Sequence, residues 1–122
     1  MAHILLVDDN VDSSRALARV LQHFHHTVDA VDSGEAAVGY LQASVPDAMI
    51  LDLMMPGMDG AEVLRRVRQD PRTADLPVVI YSAVADGAMR DHLLAKGAQD
   101  YWLKASFNLR DIEQRLDAVL CA

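Results

Sequence analysis

Several acidic side chains lie where they could bind a metal ion or accept a phosphoryl group. Asp8 and Asp9 follow the apolar run Ile4–Val7, and Asp52 follows the apolar run Ala48–Leu51. A carboxylate beside a buried segment is costly to desolvate, so it needs a cation, a hydrogen-bonding partner or solvent. For Asp52 alone, a solvated position at the end of a strand is the simpler alternative, and Asp8 and Asp9 could instead cap a following helix.

Ser82 and Lys104 occupy the same position after two later apolar runs, Val78–Tyr81 and Tyr101–Leu103. If all of these runs are parallel strands, their carboxyl ends meet at one edge of the sheet and bring the polar side chains together. Carboxylates gathered in one crevice repel one another, and a divalent cation with oxygen ligands, most naturally magnesium, relieves this repulsion. Lys104 offers a positive charge to a phosphoryl oxygen, and Ser82 offers a hydroxyl donor. The set predicts a phosphoryl site with Asp52 as the nucleophile or acceptor.

Apolar runs alternate with segments of helical periodicity along the chain. Ile4–Val7 has the pattern of a strand buried on both faces, and similar runs follow at Val28–Val31, Ala48–Leu51, Val78–Tyr81 and Tyr101–Leu103. Segments with apolar residues at helical spacing lie between these runs. Strands separated by helices predict crossover connections and a parallel sheet.

Helix boundary signals agree with this alternation. Ser33 is a candidate N-cap, and Asp59 with Glu62 has the spacing of a capping box. Gly97 has the position of the residue that follows a helix C-terminus. These signals predict helices that begin near residues 34 and 60 and one that ends just before residue 97.

Composition limits the classes of protein that remain. A chain of 122 residues with 52% hydrophobic content fits one domain, which we expect to span residues 1–122. The formal net charge of −7 and the lack of a basic cluster argue against direct nucleic-acid binding. Cys121 is the only cysteine, so no intramolecular disulfide is expected, and the first apolar run is too short for a signal peptide or a membrane span. We therefore expect a soluble cytoplasmic protein that does not bind membranes, and the Met1 start favours a complete or N-terminal unit.

Four blocks of the sequence, taken together, resemble the receiver domain of two-component response regulators. They are Asp8-Asp9, Asp52 with Met55–Gly60, Ser82-Ala83, and Gly97–Lys104. The blocks occur in the family's order and spacing, and the resemblance covers essentially the whole chain. It implies a flavodoxin-like (βα)5 fold of class α/β, with a five-stranded parallel sheet in the order 2-1-3-4-5 and helices on both faces.

The resemblance also implies roles for the acidic residues and the lysine. Asp52 would accept a phosphoryl group from a phosphohistidine on a histidine kinase or a histidine phosphotransfer protein. Asp9, Asp52 and the backbone carbonyl of Met54 would bind Mg²⁺, with Mn²⁺ as the alternative ion, and Asp8 would help directly or through water. Lys104 would bind the transferred phosphoryl group. Such a domain assists its own phosphorylation and dephosphorylation and is otherwise not an enzyme.

A switch is implied at the other two positions. Ser82 would move toward the phosphoryl group, and Tyr101 would turn inward in response. The output surface for a downstream protein effector would be the fourth helix, fifth strand and fifth helix, roughly Asp86–Lys96 and Tyr101–Leu120. The domain would act as a monomer or as a dimer formed on activation.

The family usually has a proline in a cis peptide bond after the lysine, whereas Ala105 follows Lys104 here. A non-proline cis bond costs about 2.5–4 kcal/mol, so both a trans bond and a strained cis bond remain open. Two other functions also remain open. One is a phosphorylation-independent interaction module of the same fold. The other is a magnesium-dependent aspartyl phosphatase or phosphotransferase, which Met54 disfavours because such enzymes place a second acid at that position.

Two further groups of polar residues are expected to lie at the surface without a role in the phosphoryl site. His23, His25 and His26 are predicted to be partly exposed at the end of the first helix, where a histidine is favoured electrostatically. The charged residues of the last helix are predicted to form a solvated face. They are Arg110, Asp111, Glu113, Arg115 and Asp117.

Overall fold

Strands and helices alternate along the chain, as the sequence predicts. The computed structural model describes residues 2–84, 86–104 and 111–120. The strands are β1 (His3–Val7), β2 (Thr27–Val31), β3 (Ala48–Leu51), β4 (Val78–Ser82) and β5 (Asp100–Leu103). The helices are α1 (Val11–His23), α2 (Gly34–Ala43), α3 (Gly60–Gln69), α4 (Gly87–Ala95) and α5 (Ile112–Leu120).

The strands form one parallel sheet in the order β2-β1-β3-β4-β5, so the predicted fold class and strand order are confirmed. Val7 pairs with Val31 on one side and Leu51 on the other. Ser82 pairs with Leu103. This register aligns the carboxyl ends of the strands, so the residues that follow them emerge at one edge.

Alternate residues of each central strand pack against different helices. Leu5 and Val7 belong to an apolar cluster with residues of α2, α3 and α4, whereas Ile4 and Leu6 pack with residues of α1 and α5. The central strands β1, β3 and β4 are buried on both faces almost throughout. β2 is instead partly exposed, because it is an edge strand that pairs only with β1.

The predicted helix boundary signals are confirmed. The Ser33 side chain accepts a hydrogen bond from Ala36 N at 3.0 Å, and Asp59 accepts one from Glu62 N at 3.0 Å. Gly97 follows the C-cap of α4 with a φ of 111°, a left-handed conformation that costs glycine little.

The prediction for the three histidines is wrong for His26, which is buried. Its Nδ1 accepts a hydrogen bond from Ala2 N at 3.0 Å, so Nε2 carries the proton and donates to Glu113 Oε2 at 2.8 Å. His25 follows the end of α1 with a φ of 69° and turns the chain, so His26 lies in the connection before β2 rather than on the helix. His23 and His25 are exposed.

The predicted solvated face of the last helix is also partly wrong. Glu113 accepts a hydrogen bond from His26. The Nη2 of Arg115 donates to both carboxylate oxygens of Asp100, each at 2.8 Å. Asp117 is exposed as expected. These contacts join α5 to the turn before β2 and to β5, and helical periodicity alone does not predict them. Arg110 and Cys121 lie outside the described residues.

Within residues 2–84, 86–104 and 111–120, none of the helices combines the length and the apolar character needed to cross a bilayer.

Candidate functional site

Three carboxylates meet at the carboxyl edge of the sheet. One oxygen from each of Asp8, Asp9 and Asp52 lies within 4.8 Å of the others. The parallel pairing of β1 with β3 causes this approach, since Asp52 N donates to Val7 O at 2.8 Å. Asp8 and Asp52 are buried, and Asp9 is exposed. The cluster is therefore open to solvent on the side of Asp9.

Asn10 shows which role Asp8 and Asp9 have at the start of α1. The side chain of Asn10, not of either aspartate, accepts the capping hydrogen bond from Ser13 N at 3.0 Å. Asn10 N in turn donates to Asp8 Oδ1 at 2.9 Å. The alternative in which the aspartates cap the helix is thus excluded, and Asp8 Oδ1 is held by the backbone.

The surroundings of Asp52 strongly raise the pKa of its carboxyl group. Its side chain is about 7% exposed, and burial raises the pKa of its carboxyl to about 6, although the neighbouring Lys104 ammonium opposes that rise. A hydrogen bond with Asp8 and the charge of Asp8 contribute to this raised pKa. The Asp52 carboxyl is thus mostly ionised near neutral pH, but at a cost in folding free energy that a cation would offset.

Lys104 lies directly on this cluster. Its Nζ donates to Asp8 Oδ2 at 2.9 Å and lies 3.6 Å from Asp52 Oδ2. Burial by itself lowers the pKa of Lys104, but the hydrogen bond to Asp8 and the charges of both carboxylates raise it overall. The backbone N of Lys104 donates to Ser82 O at 2.8 Å, which anchors the end of β5 to β4. The peptide bond between Lys104 and Ala105, cis or trans, lies outside the described residues.

The donor set fits a hard divalent cation. Its side-chain ligand atoms are all carboxylate oxygens, and three carboxylates face one lysine, so the cluster has an excess of negative charge. Met54 lies beside it: its N is 3.4 Å from Asp52 Oδ1, and its side chain is exposed. Oxygen donors of this kind suit either Mg²⁺ or Mn²⁺.

Gly60 brings the start of α3 into contact with this edge. Its N donates to Leu53 O at 2.9 Å. A Cβ at this position would lie 2.8 Å from Leu53 Cα and closer still to the carbonyl oxygen of Asp52. Apolar periodicity does not reveal this role, although a glycine directly after the Asp59 cap is a visible signal in the sequence.

Ser82 and Tyr101 are joined through the backbone of Val84. Ser82 is fully buried at the end of β4, and its Oγ accepts a hydrogen bond from Val84 N at 3.1 Å. Tyr101 is also buried, and its hydroxyl donates to Val84 O at 2.7 Å. The residues predicted to form a switch therefore contact the same loop residue, which the sequence analysis did not identify.

A groove of about 420 Å³ adjoins the carboxylate cluster between α1 and the β2–α2 connection. Asp8 and Val11 are among the residues that line it, and the Val11 side chain is about half exposed.

Comparison with known proteins agrees with the fold. Residues 4–117 match the family described as the response regulator receiver domain. The response regulator ArlR of Staphylococcus haemolyticus is 36% identical over 120 residues, which cover 98% of this chain and 53% of that protein. The chain spans about half the length of the curated relatives of this kind.

Solved structures of response regulators and receiver domains have the same fold. A crystal structure of a putative response regulator from Chloroflexus aurantiacus has a TM-score of 0.93 and 32% identity, covering 99% of this chain and 98% of that one. The receiver domain of the sensor histidine kinase PA1611 from Pseudomonas aeruginosa has a TM-score of 0.90 and 26% identity, covering 99% of this chain and 98% of that one. It was solved with magnesium coordinated in its active site cleft. The chain therefore belongs to the response regulator receiver domain family.

Proposed function

We propose that this domain, residues 1–122, is a phosphoacceptor whose Asp52 takes a phosphoryl group from a histidine kinase or a histidine phosphotransfer protein. The observation that carries the proposal is the cluster of Asp8, Asp9 and Asp52 with Lys104 in contact with two of its members. Phosphoryl transfer requires mainly positioning and neutralisation of charge, and this arrangement offers both.

In the transfer, an Asp52 carboxylate oxygen forms a bond to phosphorus while the phosphorus–nitrogen bond of the phosphohistidine breaks. The electron pair of that bond stays on the imidazole nitrogen, which then takes up a proton. Because the pKa of Asp52 is about 6, most of the carboxyl is ionised and nucleophilic at pH 7. Lys104 orients the incoming group by donating to a phosphoryl oxygen.

Asp8, Asp9, Asp52 and the backbone carbonyl of Met54 would hold Mg²⁺, or Mn²⁺ in its place. When bound, the ion supplies positive charge that neutralises the phosphoryl oxygens. The ion present in the related PA1611 receiver domain supports this assignment. Asp8 has a second task in this chain, since it also holds the Lys104 ammonium at 2.9 Å.

Phosphorylation then acts on Ser82 and Tyr101 through Val84. The Ser82 hydroxyl turns toward the phosphoryl group and gives up its bond from Val84 N. Because Tyr101 binds the carbonyl of the same residue, the displacement of Val84 reaches β5 and α4. The surface formed by α4, β5 and α5 would carry the change to a downstream protein effector, with the domain as a monomer or as an activation-linked dimer.

Labelling by a small acyl-phosphate donor with Mg²⁺ tests the proposal. We expect intact-mass spectrometry to detect one phosphoryl group per chain, stable for seconds or longer and located on the peptide that contains Asp52. Continuous turnover of small phosphoesters would instead identify an aspartyl phosphatase or phosphotransferase. An unmodified chain would identify a phosphorylation-independent interaction module.

Tyr101→Phe tests the route through Val84. The variant keeps the buried ring and removes only the hydroxyl that donates to Val84 O. We expect labelling of Asp52 at the wild-type rate but smaller phosphorylation-induced changes in the amide NMR shifts of α4. Tyr40→Phe is the matched control, because it removes a hydroxyl bonded to Asp29 on β2, at the opposite edge of the sheet from Tyr101. Equal α4 responses in wild type and Tyr101→Phe would rule out this route.

A further inference from the structure

The ammonium of Lys104 has an aromatic partner in addition to the carboxylates. Its Nζ lies over the ring of Tyr81, 5.5 Å from the ring centroid. A cation within about 6 Å of a ring centroid is attracted to the ring face, and this attraction is stronger where water is excluded. Both side chains are largely shielded, since Tyr81 is 8% exposed and the Lys104 side chain is 19% exposed.

The Tyr81 ring has little freedom to move. It lies on β4 opposite Trp102 of β5, and the two rings meet edge to face with centroids 6.4 Å apart. Trp102 is fully buried, and its Nε1 donates to Asp100 Oδ2 at 2.7 Å. Two paired strands and a buried hydrogen bond thus fix the surface on which the Lys104 ammonium lies.

We propose that Tyr81 is a positioning residue for phosphoryl transfer, with its ring face holding the Lys104 ammonium beside Asp52. The inference rests on the proposed phosphoacceptor function. A lysine side chain is long and flexible, and one contact, such as that with Asp8, leaves its ammonium some freedom to move. A second contact, with the Tyr81 ring, restricts the ammonium to the position beside Asp52.

The ring and the Asp52 carboxylate act at different stages. Asp52 loses its carboxylate charge when it becomes an acyl phosphate, so its attraction for Lys104 through that charge ends with the transfer. The quadrupole of the Tyr81 ring does not change in this step. Tyr81 therefore keeps Lys104 in place before and after transfer, whereas Asp52 attracts it through its carboxylate only before.

Two substitutions separate this role from simple packing. Tyr81→Phe retains the ring face and removes the hydroxyl, whereas Tyr81→Leu retains apolar bulk and removes the ring. We expect Tyr81→Leu to lower the rate of Asp52 labelling by a small acyl-phosphate donor about threefold to tenfold. Tyr81→Phe should restore the wild-type rate. Tyr81→Met, a flexible apolar replacement, serves in place of Tyr81→Leu if that variant does not fold.

A double-mutant cycle with Lys104→Met decides whether Tyr81 acts through Lys104. If it does, Tyr81→Leu causes no further loss of labelling in the Lys104→Met background. An NMR measurement without donor adds a second readout: the Lys104 methylene protons next to Nζ should show an aromatic ring-current shift in wild type and Tyr81→Phe that disappears in Tyr81→Leu.

These measurements distinguish failure of the phosphoacceptor function from failure of the role of Tyr81. A folded wild-type chain that is never labelled overturns the phosphoacceptor function. A labelled wild type with an equally fast Tyr81→Leu variant overturns only the role of Tyr81. A loss in Tyr81→Leu that persists fully in the Lys104→Met background also overturns it, because the ring would then act by packing alone.

Discussion

Replacing Asp52 with asparagine is expected to abolish labelling and, in metal-free buffer at pH 7.5, to make the folded protein more stable. The amide cannot form the acyl phosphate, so the loss of labelling should be complete. The gain in stability follows from the raised pKa of Asp52, about 6 against an ordinary value of 3.8. A difference of that size corresponds to about 3 kcal/mol, which is an upper value for the penalty of keeping the charge buried.

The sign of this effect depends on pH. The folded Asp52 carboxyl binds a proton more tightly than the unfolded one, so its contribution to stability is fully present below about pH 3.8 and is lost as the pH rises through about 6. Asp52→Asn should therefore be more stable than wild type by about 1–3 kcal/mol at pH 7.5, and the difference should shrink toward zero near pH 4.

Urea unfolding at both pH values in the presence of a chelator measures the difference. Asp91→Asn is the matched control, because the Asp91 side chain is 78% exposed on α4 and, among the described residues, forms an ion pair with its neighbour Arg90 at 3.5 Å. Its unfolding free energy should stay within about 0.5 kcal/mol of wild type at either pH. An Asp52→Asn variant less stable than wild type at pH 7.5 would contradict the burial of a costly charge.

Gly60→Ala is expected to destabilise the domain by about 3 kcal/mol or more. The added methyl group would overlap the carbonyl oxygen of Asp52 and lie 2.8 Å from Leu53 Cα. Both atoms belong to the backbone, so no side-chain rotation can relieve the overlap. Either the start of α3 or the segment that carries Asp52 must shift, and labelling of Asp52 should fall along with stability.

Gly39→Ala provides the comparison for Gly60→Ala. Gly39 lies inside α2, and no heavy atom lies within 4 Å of the position that its Cβ would take. Alanine there should stabilise the domain by about 0.5–1 kcal/mol, because glycine is a poor helix former. Urea unfolding of the two variants should thus give changes of opposite sign, and a stable Gly60→Ala variant would mean that the two segments separate easily.

The sequence was informative where the structure depends on local pattern. The five apolar runs predicted the strands to within one residue at each end, because a short apolar run bounded by polar residues has few alternatives. Ser33, Asp59 and Gly97 predicted three helix ends, since capping depends on residues close in sequence. Asp8, Asp52 and Lys104 were predicted to meet, because parallel strands place their carboxyl ends at one edge.

The sequence was uninformative where a contact joins distant residues without a repeating pattern. His26 and Glu113 are 87 residues apart, and nothing in either neighbourhood indicates that they meet. The contact of Tyr81 with Lys104 depends on the conformation of the long lysine side chain, which the strand pattern does not determine. The clash at Gly60 depends on how closely α3 approaches β3, a distance that composition does not encode.

The buried imidazole of His26 has a consequence for the order in which the domain assembles. One ring binds Ala2 at the start of the chain and Glu113 on the last helix, so its hydrogen bonds are complete only when both ends have been docked. Closing a loop of this length is slow and entropically costly, and local helices and adjacent strands form first. Attachment of α5 at His26 should therefore be a late event in folding, and loss of that helix would remove Glu113, the partner of the His26 Nε2.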